Sequence, residues 1–561
     1  AGFPGSVSPK LVNIMQKFSL VKKSGRVSNP TMLLSVLACL LLVAGAGCRL
    51  PCLRHADPTP VLPEDFNGMS SEENSAHIGI AEFFNDPGLT QLVTYGLSQN
   101  QELMIRNEEV EIAGNEILSR RGAYLPFVTI GGGGGFDRNS RFLPLGAAED
   151  QLLPPKGTFP DPLSHLGFGP RLFWQVDIWR QLRNARDAAI QRYNEAIEAR
   201  DYLITKLVAE TAENYYELAA LDQRLRYLNQ TIQIQKQSLE VAQAQKEAAR
   251  GTELGVQRFR AEVRKNESLR YIVKQRMIEV ENRINFLVGR YPQPVDREQW
   301  EFINLDSRVL QVGVPVQLLM HRRDIQAAER EVAATGLDVQ VARANFYPRL
   351  DICAGVGFDA FSPKYLFDPG AFVANAAGEL VAPLINKKAI QAEYLNANAR
   401  QLQAIYNYQR TVLMAFTEVV NRVNKVENYR QSVLIKQDQV KALEESVNVA
   451  TSLFQGARPE VEYMDVLFAQ RDLLDARIVL IETKQEQLSA IVNAYQALGG
   501  GLLWSNSGMD YYEVAPSPES PTFPPMIQPD EVFAVPDSNS DTPATDPGDD
   551  ATDNNPPAGD E

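Results

Sequence analysis

Between residues 180 and 250 the chain has neither proline nor glycine, and its apolar positions step by three and four in alternation: Leu218, Leu221, Leu225, Leu228, Ile232, Leu239 and Ala242, with Gln235 as one polar member. That spacing is the seam of a coiled coil. Residues 387–455 are equally free of breakers and repeat the step at Val440, Leu443, Val447, Ala450 and Phe454. At about 1.5 Å per residue, each stretch predicts a helix roughly 100 Å long. Four shorter helical patterns, 89–122, 253–288, 315–346 and 461–498, are near half that length, so two stacked end to end match one long helix. Gly251 and Gly456 mark the turns after the long helices, with Pro459 as a further start signal, and Gly499-Gly500-Gly501 ends the last helix.

A second pattern precedes each long helix. Leu350, Ile352, Ala354, Val356, Phe358 and Ala360 alternate with Asp351, Cys353, Gly355, Gly357 and Asp359, which predicts a strand with one apolar face and one small or polar face. Val128, Ile130 and Phe136 keep the same side in an earlier stretch that holds five successive glycines, Gly131 to Gly135. Return strands are expected near 166–178 and 372–385. The two stretches align without a gap at a spacing of 222: Arg121 with Arg343, Pro126 with Pro348, Gly133 with Gly355, and Gly135-Phe136-Asp137 with Gly357-Phe358-Asp359. A repeat of this length implies a duplicated unit.

The predicted organisation is a first repeat at 89–289 with its hairpin at 124–178, a connecting segment at 290–314, and a second repeat at 315–501 with its hairpin at 347–385. The fold class is therefore mixed α and β, mainly α. Four strands are too few for a closed wall, which needs at least about eight, and an open sheet in lipid leaves backbone groups unpaired. Other copies of the chain must complete it. A homotrimer would give a 12-stranded barrel, four strands from each chain, continuing into a ring of long rods.

Charge removes some function classes. The net charge is −15, but residues 513–561 hold twelve Asp and Glu with no Lys or Arg, so removing those twelve leaves −3 for the rest. A body without a basic stripe argues against nucleic acid. The acidic, proline-rich tail, 502–561, has the composition of a disordered segment. His55, His77, His165 and His321 are scattered with none at metal-ligand spacing, and no nucleophile or phosphate loop is evident, so no enzyme, metal or cofactor is expected. Lys17, Lys22, Lys23 and Arg26 followed by the apolar run Leu33 to Gly47 resemble a signal peptide over 1–47. The small residues leading to Cys48 resemble a lipoprotein cleavage site, which would put a diacylglycerol and an acyl chain on Cys48 and make 48–88 a lipidated linker.

The order of these elements, with the junctions Tyr124-Leu125-Pro126 and Phe346-Tyr347-Pro348, the hairpin ends Trp174-Gln175-Val176-Asp177-Ile178-Trp179 and Ala382-Pro383-Leu384-Ile385-Asn386, and the turns Gly251-Thr252-Glu253-Leu254-Gly255 and Tyr463-Met464-Asp465-Val466-Leu467, resembles the TolC-like outer-membrane efflux proteins over roughly residues 80–505. The resemblance implies a homotrimeric outer-membrane duct with its helical part in the periplasm. It also implies a periplasmic adaptor (membrane fusion) protein and an inner-membrane pump of RND or ABC type as partners. The substrates would be small molecules or type I secretion cargo, with a gate at the periplasmic tip. Asp465 matches a family position that lines the tip aperture, and the longer turn adds Glu460 and Glu462. Gln257 stands where the first repeat would carry its acid, so that turn is expected to have lost its charge. The bland reading is that these acids favour a helix N-terminus. Gly251 and Gly456 fall in the partner-contact turns. The competing reading of the whole chain is a secreted coiled-coil scaffold that forms no pore.

Overall fold

The computed structural model describes residues 50–60, 62–71, 73–149, 151–154, 159–297, 302–305, 311–383, 387–456 and 462–501. The two breaker-free stretches are single helices: α5, Gln181–Glu247, and α9, Lys388–Gln455, of 67 and 68 residues. In chain order before α5 come α1 (Ile80–Phe84), α2 (Pro87–Gln99), α3 (Gln101–Ala123), β1 (Phe127–Asp137), the short α4 (Pro144–Glu149) and β2 (Leu163–Val176). Between α5 and α9 lie α6 (Glu253–Leu287), α7 (Gln317–His321), α8 (Arg323–Ala344), β3 (Arg349–Ala360) and β4 (Phe372–Val381), and α10 (Tyr463–Ala497) follows α9.

The seam residues do what their spacing requires. Leu218, Leu228, Ile232, Gln235 and Ala242 of α5 are buried, as are Val440, Val447 and Phe454 of α9. Gln235 is satisfied in part by Asn266 of α6, whose Nδ2 donates to Gln235 Oε1 at 2.9 Å. Toward the sheet α5 packs against α3 and α8, and toward its far end against α6 and α10.

Two helices expected to be continuous are broken. The 89–122 pattern stops at Asn100 (ψ 123°) and restarts, and the 315–346 pattern stops at Arg322 (ψ 119°). Neither residue is a breaker by type, and their separation is again 222. Each break is where a shorter helix stacks on the next. Asn100 accepts from the Leu103 N–H at 2.8 Å and donates to the Leu287 carbonyl at 2.8 Å. Arg322 donates to the Ala497 carbonyl at 3.1 Å, to Glu418 at 2.9 Å, and to Asp324 through two nitrogens. Tertiary hydrogen bonding outweighs local propensity at both places. The glycines that follow α6 and α10 have φ of +73° (Gly289) and +98° (Gly499), and a Cβ on Gly289 would lie 2.2 Å from the Gln99 carbonyl.

The segment before α1 is not an idle linker. Arg54 N–H donates to Asn398 Oδ1 at 3.1 Å while Asn398 Nδ2 returns a bond to the Arg54 carbonyl at 3.0 Å. Leu50 and Leu53 pack on Phe346 and Tyr394, and Phe66, fully buried, stacks on Phe416. The strap thus runs along α9 from mid-height to the sheet end. Phe302 of the connecting segment is buried with Tyr495 and Ile481, and Lys484 Nζ donates to the Leu305 carbonyl at 2.7 Å.

Candidate functional site: a two-faced wall and a helical tip

The four strands form one antiparallel sheet in the order β1-β2-β3-β4. Paired residues share a face, so the register assigns every side chain. With Val128, Ile130 and Phe136 of β1 go Leu172, Pro170 and Ser164 of β2, and Leu166, Phe168, Leu172, Trp174 and Val176 pair with Ala360, Phe358, Ala354, Ile352 and Leu350 of β3. Phe372, Ala374, Ala376, Gly378 and Leu380 of β4 continue that row. It is apolar across all four strands except Ser164. The opposite face is mixed: it carries Thr129, Arg171, Gln175, Asp351, Cys353, Asp359, Asn375 and Glu379 among glycines, together with Phe127, Leu163, Phe173, Val373 and Val381. At one level Gln175, Asp351 and Glu379 are neighbours on adjacent strands, and Asp351 accepts from Arg349 Nε at 2.8 Å. Glycine is required where β2 meets β3: a Cβ on Gly169 would stand 2.1 Å from the Val356 carbonyl.

Aromatic groups fasten the sheet to its helices. Trp174 Nε1 donates to the Tyr124 carbonyl at 3.1 Å and Trp179 Nε1 to the Pro348 carbonyl at 2.7 Å, with Trp179 stacked on Tyr347. Phe346 is buried against Tyr394 and belongs to the packing.

At the other end, the helices that flank the two turns meet. Phe259 and Val256 of α6 pack with Phe454 of α9 and Val466 and Leu467 of α10, and a Cβ on Gly255 would touch the Tyr463 ring at 3.3 Å. Thr252 caps α6, its hydroxyl accepting from the Gly255 N–H at 3.2 Å, directly after Gly251. Gly456 closes α9 with φ −74°, and Glu462 opens α10. Glu462 and Asp465 form a reciprocal capping box in which the Glu462 N–H donates to Asp465 Oδ2 at 2.9 Å, and both side chains are exposed. The capping role and an exposed charge therefore coexist at Asp465. Glu460, like Cys48, lies outside the described residues. The first turn has not lost its acid. Glu253 stands there, bonded by Lys246 and by Gln257, and the Lys246 ammonium holds its carboxyl below the usual range. Its charge is paired, whereas among the described residues no Lys or Arg is bonded to Glu462 or Asp465. A Glu one turn before Gln257 was the signal for this.

The scattered histidines are brought together in one case: His77 and His321 meet edge to face with ring centroids 4.6 Å apart, and burial pushes His321 below its usual range. Among the described residues no group of three His, Cys, Asp or Glu is arranged to hold a metal. Among the described residues no helix is long and apolar enough to cross a membrane.

A sequence model of the outer membrane efflux protein family matches residues 95–290 and 314–500. The chain belongs to that family. The solvent efflux pump outer membrane protein SrpC of Pseudomonas putida is 26% identical over 438 residues, covering 76% of this chain and 87% of SrpC. The cation efflux system protein CusC of Escherichia coli O6:H1 is 24% identical over 467 residues, covering 82% of this chain and 97% of CusC. Among solved structures, the outer-membrane channel OprN superposes with a TM-score of 0.71 at 22% identity over 80% of this chain and 98% of its own. The open-state MtrE channel of Neisseria gonorrhoeae gives 0.71 at 20% identity, over 81% and 100%. These likenesses show the fold. As an outer membrane efflux protein the chain is an export channel of the outer membrane with its helices on the periplasmic side, and the scaffold reading falls. The family is one of channels, not enzymes.

Proposed function

We propose that three copies of the chain form one closed duct, each contributing a duplicated unit of hairpin and rods. The carrying observation is the sheet, which is apolar on one face, carries all its charged strand residues and most of its glycines on the other, and has one neighbour only for β1 and for β4. Strands of 10 to 14 residues have the length of a tilted membrane strand. Pairing β4 of each copy with β1 of the next satisfies both edges, puts the apolar row on lipid and the row of Arg171, Asp351 and Glu379 on water. Single-channel recording of the detergent-purified protein in planar bilayers tests this. Stable unitary conductance is the expected result, and a soluble, non-conducting protein overturns it.

The duct exports small molecules or secreted cargo delivered by an inner-membrane pump of RND or ABC type through a periplasmic adaptor, which docks around the turns at Gly251 and Gly456. The gate is the ring of Asp465, Glu462 and Glu460 at the tip, where like charges brought together attract cations. Cys48 carries the lipid anchor. The strap supports this, because Leu50, two residues on, packs on Phe346 and Tyr394 beside the start of the membrane strands. Acyl mass on the mature N-terminal peptide is the expected finding, and an unmodified peptide ends the claim.

A further inference from the structure

Near the tip the apolar packing of three helices is interrupted at one level. On the tip side lies the cluster of Ala242, Val256, Phe259, Phe454, Val466 and Leu467, and on the sheet side Ile232, Val273 and Leu474 belong to the main core. Between them stand Gln235 and Ser238 of α5, Asn266 of α6 and Gln470 of α10, which are 0%, 5%, 1% and 3% exposed. Asn266 Nδ2 donates to Gln235 Oε1 at 2.9 Å, and Gln470 Nε2 donates to the Ser238 hydroxyl at 3.0 Å. Each amide is bonded at one end only. Gln235 Nε2 is a buried donor with no partner, and Asn266 Oδ1 and Gln470 Oε1 are buried acceptors with none. The apolar contact of α9 with α10 continues past this level, from Val447 with Leu473 to Phe454 with Val466 and Leu467.

We infer that this polar layer is a slip plane, across which the tip of α9 and α10 shifts as one body along α5 while Gln470 exchanges Ser238 for Gln235. Gln235 and Ser238 are three residues apart, so they are neighbours on one face of α5, with Gln235 nearer the sheet. In the observed position Gln470 donates to Ser238. In the second position Gln470 Oε1 accepts from the open Nε2 of Gln235, and the released Ser238 hydroxyl bonds the carbonyl four residues back in its own helix. One hydrogen bond joins α5 to α10 either way. An apolar layer has no such second position, because side chains drawn from a close-packed seam lose their contacts outright. Gln470 lies on the same helix as Asp465, so the shift carries that acid with it. The consequence for conduction rests on the reading of the tip as the gate, whereas the slip itself does not.

Hydrogen exchange of the full-length channel in nanodiscs, read by mass spectrometry, compares α10 on the two sides of the layer, at 463–469 and at 475–485. In the unsubstituted channel the tip side should exchange roughly tenfold faster than the sheet side, and equal rates overturn the slip plane whether or not any variant folds. Gln470→Met keeps the side-chain length and removes both positions. Gln235→Met with Asn266→Leu removes the second position alone and leaves the Ser238–Gln470 bond in place. Each variant should slow the tip side roughly tenfold and leave the sheet side unchanged. Unaltered or faster tip-side exchange in either variant overturns the slip plane, as expected of a layer that only fixes the register of the helices. Equal slowing on both sides also overturns it, since that is plain added stability. Single-channel records of the same variants then separate the two readings. Slower exchange with rarer openings supports both, and slower exchange with unaltered openings keeps the slip plane and removes the gate from the tip.

Discussion

Arg322 is the sharpest place to test how the rods are held. It is 5% exposed and donates four hydrogen bonds, two to Asp324 at 2.7 and 3.0 Å, one to Glu418 at 2.9 Å and one to the Ala497 carbonyl at 3.1 Å. Arg322→Met keeps the buried stem but leaves two carboxylates and a helix-end carbonyl without their cation. Removing one member of a buried ion pair costs about 3–5 kcal/mol. Because the Glu418 side chain is 35% exposed, water offsets part of this, and the low end, about 3 kcal/mol, is the expectation here. Asn100→Ala removes a neutral cap and one buried donor and should cost about 1–2 kcal/mol. Chemical denaturation of the solubilised channel, followed by circular dichroism at neutral pH, should rank wild type above Asn100→Ala above Arg322→Met. Adding Glu418→Leu to Arg322→Met should recover about 1 kcal/mol by removing an orphaned charge. If Arg322→Met is as stable as wild type, or the second substitution recovers nothing, the charged knot is not what fixes the break between α7 and α8.

Other outcomes follow from single contacts. Burial and the facing Glu331 push the Glu195 carboxyl from 4.5 up to about 7, against the pull of Arg192. A raised folded value means the proton is held more tightly in the folded state, so this stability is fully present below pH 4.5 and lost as pH rises through about 7. Discounted for half exposure it amounts to about 1–2 kcal/mol, and Glu195→Gln should flatten the slope of stability across that window; an unaltered slope refutes the assignment. At the tip, Asp465→Asn with Glu460→Gln and Glu462→Gln should raise single-channel conductance and weaken divalent-cation block. Asn keeps an acceptor for the Glu462 N–H, so a less stable helix with unaltered conductance would leave Asp465 a cap alone. In the sheet, Gly169→Ala must part β2 from β3 and should cost about 2 kcal/mol, seen as lost heat resistance of the assembled form. Gly167→Ala, whose Cβ would find its nearest neighbour at 3.9 Å, is the tolerated control.

The long helices and the strand alternation were readable because both are carried by periodicity: eight seam positions in the first long helix and six alternating apolar positions at 350–360 outweigh local noise. The breaks at Asn100 and Arg322 were hidden because both residues fit the helical pattern on either side, and their reason lies some 180 residues away, at Leu287 and Ala497. Extending the 222 spacing backward from Arg121 and Arg343 would have paired the two positions, though not revealed a break. The strap had no period at all; its fit depends on Asn398 offering both halves of its amide to one backbone residue. At the tip, the acids were visible as charges but their partners were not, so the pairing of Glu253 with Lys246 and the box between Glu462 and Asp465 emerged only from geometry.

The two open edges of the sheet have a genetic consequence. In a three-copy duct no strand pair can close the wall until every copy is present, so one chain with a faulty β1 or β4 disables two sound ones. Equal expression of a sound and an edge-damaged allele would then leave only about one assembly in eight intact, and such alleles should be dominant. Damage confined to α2 or the strap, which seal no edge, should be recessive.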